Sequence, residues 1–235
     1  MKELESLSAF QARTAGFVSD SLPHSVGFET NANLPLKVGI DGNMEPFMGN
    51  TVVFPLPEHI QRQIGLIQKR LYQLCGPALA EPLETSSFHI TLHDLLSGTP
   101  AQDLNNRIAR VREPAVTCLK QIAEKGEIIR LRSTALFNMV NTSMVLGFAP
   151  ADETSCARLM AYYELFQEIV PLGYPLTPHV TVAYFRPGTV TAELTEKLRD
   201  VVAAVGQGEE LFLELSAKTL EYQLFSDMNH YWADM

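Results

Sequence analysis

Two short segments constrain this chain more than any other feature: "SSFHITLHDL", from Ser86, and "TPHVTVAYF", from Thr177. Each carries a histidine, an aliphatic residue, a threonine and a second aliphatic residue, and the histidines, His89 and His179, stand ninety residues apart. Residues i and i+2 of a strand point to the same face. In the first segment this puts His89, Thr91 and His93 on one face and Phe88, Ile90 and Leu92 on the other. In the second, His179, Thr181 and Ala183 share a face, opposite Val180, Val182 and Tyr184. Each strand must bury its aliphatic face and present an imidazole and a hydroxyl on the other.

The surrounding sequence places both strands in a repeated context. "NTVVFPLP" reads as a strand. Ile60, Ile64, Ile67, Leu71 and Leu74 then mark one face of a helix ended by Gly76. The first motif strand follows. A helix over "AQDLNNRIARVREPAVTCLKQIAEKG" is expected to break near Pro114. "EIIRLRSTALFNMV" and "TSMVLGFAP" form a hairpin around Asn141, and Asp152 caps the next helix. The second motif strand, a helix over "TAELTEKLRDVVAAVG" and one or two closing strands complete the order. Helices alternate with strands while the hairpins make the sheets largely antiparallel, an α+β pattern. Each half has a helix leading into a His-x-Thr strand, so the two motifs occupy equivalent places in two similar lobes. Residues 1–35 read as a peripheral N-terminal arm, with Leu4, Leu7, Phe10 and Phe17 on a short amphipathic helix. Residues 36–235 read as a single bilobal domain.

Composition narrows the function classes. The chain of 235 residues is 46% hydrophobic and 19% charged, as expected of a globular protein. With 18 Lys+Arg against 27 Asp+Glu, no long nucleic-acid surface is expected, because such a surface needs many phosphate-neutralising cations. A small site for one nucleotide or an RNA end stays open. Cys75, Cys118 and Cys156 lie far apart without a CxxC pair, which reads as reduced thiols in a cytoplasmic protein. The N-terminus lacks a signal-peptide pattern, and no run reaches the ~18 apolar residues of a membrane span. No cofactor and no metal are expected, and the chain is expected to be monomeric.

Two His-x-Thr faces meeting across a groove suit phosphodiester chemistry. Cleavage needs a base to activate water or a hydroxyl and an acid to protonate the leaving oxygen. Imidazole, with an unperturbed pKa near ~6.5, can serve as either. Threonine hydroxyls can donate to the non-bridging phosphate oxygens. His89 and His93 are four residues apart, a spacing that suits zinc on a helix, but the alternation favours a strand. His93 is a candidate substrate contact because it falls on the face of His89. Phe185 falls on the face of His179 and is a candidate for stacking on a base. Tyr222, Tyr231 and Trp232 are further candidate base or ribose contacts, with packing as the alternative. His24, His59 and His230 have no companion pattern and read as surface residues.

"HITL" and "HVTV" resemble the two His-x-Ser/Thr-x signatures of the two-histidine (2H) phosphoesterase superfamily, which includes RNA 2′,3′-cyclic phosphodiesterases and 2′-5′ RNA ligase-like proteins. The resemblance spans about Gly49 to Phe225 in order of elements and motif placement. It implies a bilobal α+β fold with two pseudo-symmetric lobes, antiparallel sheets lining a central groove and helices outside. It also implies His89 and His179 as the acid/base pair, and Thr91 and Thr181 as the phosphate-binding hydroxyls. "DGNMEPFMGNTVV" is similar to the approach to the first strand in one branch of the superfamily, which makes Asn50 and Thr51 candidate groove residues. The expected activity is metal-independent cleavage of a 2′,3′-cyclic phosphate or related phosphodiester on a nucleotide or short RNA end. The alternatives are 2′-5′ phosphodiester cleavage or ligation, and a nucleotide-phosphate-binding protein without catalysis.

Overall fold

A computed structural model describes residues 4–19 and 21–234 of the chain. Its elements run α1 (Leu7–Ser19), β1 (Phe28–Glu29), β2 (Met48–Pro55), α2 (Glu58–Cys75), β3 (His89–Gly98), α3 (Gln102–Lys125), β4 (Ile128–Met139), β5 (Ser143–Pro150), α4 (Glu153–Gln167), β6 (His179–Tyr184), β7 (Thr189–Val190), α5 (Ala192–Gly206), β8 (Phe212–Ser216), β9 (Glu221–Phe225) and β10 (Tyr231–Ala233). The larger strands form two four-stranded antiparallel sheets, ordered β10-β9-β2-β3 and β6-β5-β4-β8. Each His-x-Thr strand is the edge of its sheet, and the edges, β3 and β6, approach each other. The result is the expected bilobal α+β arrangement, with one sheet in each lobe. No helix among the described residues is long and apolar enough to cross a membrane.

Local chemistry explains the elements. The β4–β5 hairpin turns through Val140 and Asn141, both at positive φ (43° and 59°). Two successive left-handed residues give a turn whose twist matches the flanking strands, and Asn tolerates that conformation well. The Asp152 carboxylate accepts the Ser155 amide at 2.7 Å, capping α4 as the sequence indicates. In α2 the buried stripe is Ile60, Ile64, Gln68, Leu71 and Cys75, whereas Leu74 is exposed.

The two lobes interlock. α2, which leads into β3, packs against β6, and α4, which leads into β6, packs against β3. Gln68 of α2 shows how tightly: its Nε2 donates to the carbonyls of Leu83 and Val182, at 3.0 and 3.1 Å. Each motif strand is thus backed by a helix from the other half of the chain. Ile90 and Leu92 of β3, and Val180 and Val182 of β6, are fully buried beneath these helices. Truncating Ile90 or Leu92 to alanine costs about 2–5 kcal/mol when the site cannot collapse.

One expectation is corrected and two gain detail. α3 runs unbroken through Pro114. Proline removes one backbone donor, but buried Leu104 and Ile108 before it, and Ala115, Leu119 and Ile122 after it, anchor the helix on both sides. The closing strands separate: β8 joins β4 in one sheet and β9 joins β2 in the other. Within residues 1–35, Phe10, Leu22 and Leu34 are buried, and α1 lies against β4 and α4.

Candidate active site

The groove between the two edge strands has a volume of about 400 Å³. His89, Thr91, His179 and Thr181 all line it. So do Asp94 and Ser97 from β3, Ser143 and Tyr184 from the β5–β6 pair, and Lys37, Tyr174 and Tyr231 from connecting segments and β10.

Strand register explains this set. Along β3, Thr91 pairs with Val53, His93 with Val52 and Asp94 with Thr51. Two residues of β3 therefore oppose one step of β2, with Leu92 the extra residue of a bulge. A one-residue shift moves the side chains beyond it to the opposite face, and a further bulge at Leu95, between the Thr51–Asp94 and Asn50–Leu96 pairs, reverses the shift before Ser97. The alternation places His93 beside His89, but the bulge turns His93 away and brings Asp94 into the groove. β6 repeats the device: Thr181 pairs with Val145 and Ala183 with Met144, leaving Val182 as the extra residue. Ala183 therefore turns into the core, and Tyr184 takes the groove position. Both motifs thus read His-x-Thr-x-x-Asp or His-x-Thr-x-x-Tyr on the groove side.

Three candidate contacts are corrected by this geometry. His93 is 1% exposed and packs against Tyr163 and Phe166 of α4, with ring centroids 5.2 and 6.0 Å away. Neither of its nitrogens makes a hydrogen bond of good geometry within the described residues. Burial pulls its pKa down to about 4, against the opposing pull of Asp94. Asn50 pairs with Leu96 on the same far side of the sheet. It is buried, donates to the Tyr222 hydroxyl at 2.9 Å and accepts the Leu96 amide at 2.9 Å. Phe185 lies beyond the β6 bulge, fully buried, edge-on to Phe28 at 5.3 Å. A ligand in the groove reaches none of the three. Thr51 does line the groove, although its hydroxyl is committed to the His93 carbonyl at 3.2 Å.

The two groove histidines are held identically. Nδ1 of His89 donates to the Ser87 carbonyl and Nδ1 of His179 to the Thr177 carbonyl, each at 2.7 Å and each to the residue two positions upstream. A carbonyl only accepts, so both Nδ1 atoms carry hydrogen and Nε2 is the nitrogen left for a ligand. Burial pulls both pKa values below the ordinary imidazole value. The carbonyl contacts and the Asp94 carboxylate pull both upward; His179 adds a downward push on His89, and Lys37 adds one on His179. The pair therefore favours at most one shared proton near neutral pH.

Aromatic groups close the first-lobe side. The Tyr231 ring lies 4.9 Å from the His89 ring and 5.1 Å from Phe225. Burial holds the Tyr231 phenol protonated, as a donor. Tyr174 donates to an Asp94 oxygen at 3.0 Å. Of the C-terminal aromatics singled out in the sequence, Tyr231 reaches the groove, Tyr222 is buried behind the sheet and Trp232 is exposed. Asp94, Lys37, Tyr174 and Tyr184 escape sequence reasoning: the bulges that turn Asp94 and Tyr184 inward have no local signature, and Lys37 and Tyr174 arrive from loops. No group of three His, Cys, Asp or Glu side chains among the described residues is arranged to hold a metal ion.

The sequence matches no family model and no curated protein. Among solved structures it is similar to Escherichia coli LigT in apo form, at 14% identity over 81% of this chain and 96% of that one, with a TM-score of 0.44. A protein of Thermus thermophilus matches at 13% identity over 79% and 94% of the two chains, with a TM-score of 0.46. A conserved protein of unknown function from Agrobacterium tumefaciens matches at 18% identity over 88% of this chain and 93% of that one, with a TM-score of 0.60. That last likeness extends over nearly the whole of both chains, and the two proteins share a fold.

Proposed function

We propose that this chain is a two-histidine phosphoesterase that cleaves a 2′,3′-cyclic phosphate, or a related phosphodiester, on a nucleotide or short RNA end. The observation that carries the proposal is the matched pair of imidazoles. Two rings from opposite lobes line one groove, each fixed through Nδ1 so that Nε2 is available, and each with a threonine two residues on. In hydrolysis, neutral Nε2 of one ring takes a proton from water as the water oxygen bonds to phosphorus. The protonated Nε2 of the other gives its proton to the ribose oxygen as the P–O bond to it breaks. The Thr91 and Thr181 hydroxyls donate to the non-bridging oxygens, where negative charge builds. The products are a phosphomonoester and a free ribose hydroxyl, and the two rings end with their protons exchanged. No step calls on a metal.

Purified protein should turn over nucleoside 2′,3′-cyclic phosphates in the presence of EDTA, with a bell-shaped pH–rate profile whose limbs belong to two imidazoles. A parallel panel of 2′-5′ and 3′-5′ dinucleotides identifies which phosphodiester is preferred. Activity that disappears with chelator, or that survives replacement of both histidines, overturns the mechanism. Tight nucleotide binding with no product after long incubation points instead to a binding protein.

A further inference from the structure

The charged groups facing the groove are few. Lys37 enters from the segment before β2, half-buried, with its ammonium 5.0 Å from the Phe47 ring centroid. Asp94 enters from β3, exposed, with one carboxylate oxygen accepting from Tyr174. His89 and His179 are the other ionisable groups beside the tyrosines Tyr174, Tyr184 and Tyr231. The nearby Asp227 carboxylate is already engaged by His230. Lys37 and Asp94 cancel formally, so a net positive charge arises only from a proton on the histidine pair. A phosphodiester carries one negative charge and matches that single proton. A phosphomonoester carries nearly two at pH 7 and above, as phosphate esters with a second pKa near ~6 do. Asp94 is close enough for its field to act on both histidines, so it also acts on an anion seated between them.

We propose that Asp94 is the charge selector of this groove: its carboxylate admits a singly charged phosphodiester and disfavours the doubly charged phosphomonoester that hydrolysis leaves. The inference rests on the phosphodiesterase reading. Repulsion scales with ligand charge, so whatever factor Asp94 imposes on a monoanion is squared for a dianion. Substrate is admitted at small cost and product leaves readily. The equivalent position of the other lobe is Tyr184, a neutral residue, so the selection is built into one side only.

The test is calorimetric binding of a nucleoside 3′-monophosphate and of its methyl ester at pH 8, where both histidine rings are neutral. Wild-type protein should bind the methyl ester more tightly. Asp94→Asn preserves the acceptor for Tyr174 while removing the charge. It should tighten the methyl ester on the order of threefold and the monophosphate on the order of tenfold, narrowing the preference. Tyr174→Phe removes the hydrogen bond and keeps the carboxylate, so its preference should match wild type. Equal shifts of both ligands in Asp94→Asn, no shift of either, or loss of the preference in Tyr174→Phe would each overturn the selector role while leaving the phosphodiester site intact. Failure of both ligands to bind wild-type protein would instead remove the phosphodiesterase reading on which the proposal rests.

Discussion

β3 and β6 are built alike up to the bulge and differ after it. Both begin with the histidine, both anchor its Nδ1 on the carbonyl two residues upstream, and both insert one extra residue directly after the threonine. Beyond that point β3 delivers an aspartate and β6 a tyrosine. The supports differ too. The Ser87 carbonyl sits in a short 3-10 turn closed by Ser87 onto Glu84, through its amide at 2.9 Å and its hydroxyl at 2.7 Å. The Thr177 carbonyl sits in an irregular segment gripped from outside by Arg13 of α1. On the proposed reading, the shared half of each strand would supply what proton transfer requires, and the divergent half what distinguishes ligands. Duplicated geometry at the reacting centre is therefore compatible with an asymmetric groove.

The hardest way to break the comparison is to remove one imidazole at a time. His89→Ala and His179→Ala should each lower kcat by about 10²–10⁴, and the double variant should be little worse than either single one, because base and acid act as a unit. Single-turnover rates on a 2′,3′-cyclic nucleotide measure this. A variant that keeps wild-type rate would show that only one lobe does chemistry. Thr91→Val and Thr181→Val keep the β-branched shape and remove only the hydroxyl. Each should cost about 10²–10³ in kcat, and nearly equal losses would mean that the phosphate is held symmetrically.

How much of this was legible in the sequence follows from the range of each signal. Alternation around Ile90 and Val180 and the Asn141 turn are local patterns that the structure follows; the stripe of α2 holds at Ile60, Ile64 and Leu71 but takes in Gln68 and Cys75 and leaves Leu74 exposed. The α+β class and the two-lobed arrangement came from their order. The bulges after Thr91 and Thr181 are settled by pairing with β2 and β5, each separated from its motif strand by a whole helix, and nothing in "HITLHD" or "HVTVAY" marks them. Counting by twos therefore failed at the second step, sending His93 and Phe185 to the groove and Asp94 and Tyr184 out of it. The Asn50 candidate came from a resemblance rather than from alternation, and its face is fixed by its partners Leu96 and Leu224.

The far side of β3 offers a contrasting test, because His93 carries its imidazole into the helix layer instead of the groove. Its pKa is about 4 when folded and near 6.5 when unfolded, so between those values the unfolded chain binds a proton that the folded chain refuses. Stability is full above pH 6.5 and falls as the pH drops toward 4. At pH 5 the loss from this one group is about 2 kcal/mol. His93→Phe should remove that part of the acid sensitivity; the contributions of His89 and His179, of the same sign, should remain. Urea unfolding at pH 8 and pH 5 measures the difference, and an unchanged pH slope in the variant would mean that the ring is not held neutral by burial. Activity at pH 8 should not change by more than about twofold, since the side chain faces away from the groove.

The gentlest test concerns the support that only the second lobe has. Arg13 donates to the Leu176 carbonyl at 2.8 Å and to the Thr177 hydroxyl at 3.2 Å, and two further donors are held by Glu5 at 2.8 and 2.9 Å. It thus clamps the two residues just ahead of Pro178 and His179, including the one whose carbonyl fixes the His179 tautomer. Hydrogen bonds from a charged group contribute about 1.5–3 kcal/mol each, but only part of that is felt by a neighbouring side chain, so Arg13→Ala should lower kcat about tenfold. KM should stay put, because no atom of Arg13 lines the groove. Imidazole nitrogen-15 NMR should show His179 losing its single Nδ1–H tautomer while His89, anchored on its own turn, keeps it. Equal disturbance of both rings would mean that Arg13 stabilises the fold at large. A change confined to His179 would mean that an N-terminal helix sets the orientation of one imidazole of the pair, in a lobe whose strand cannot fix it alone.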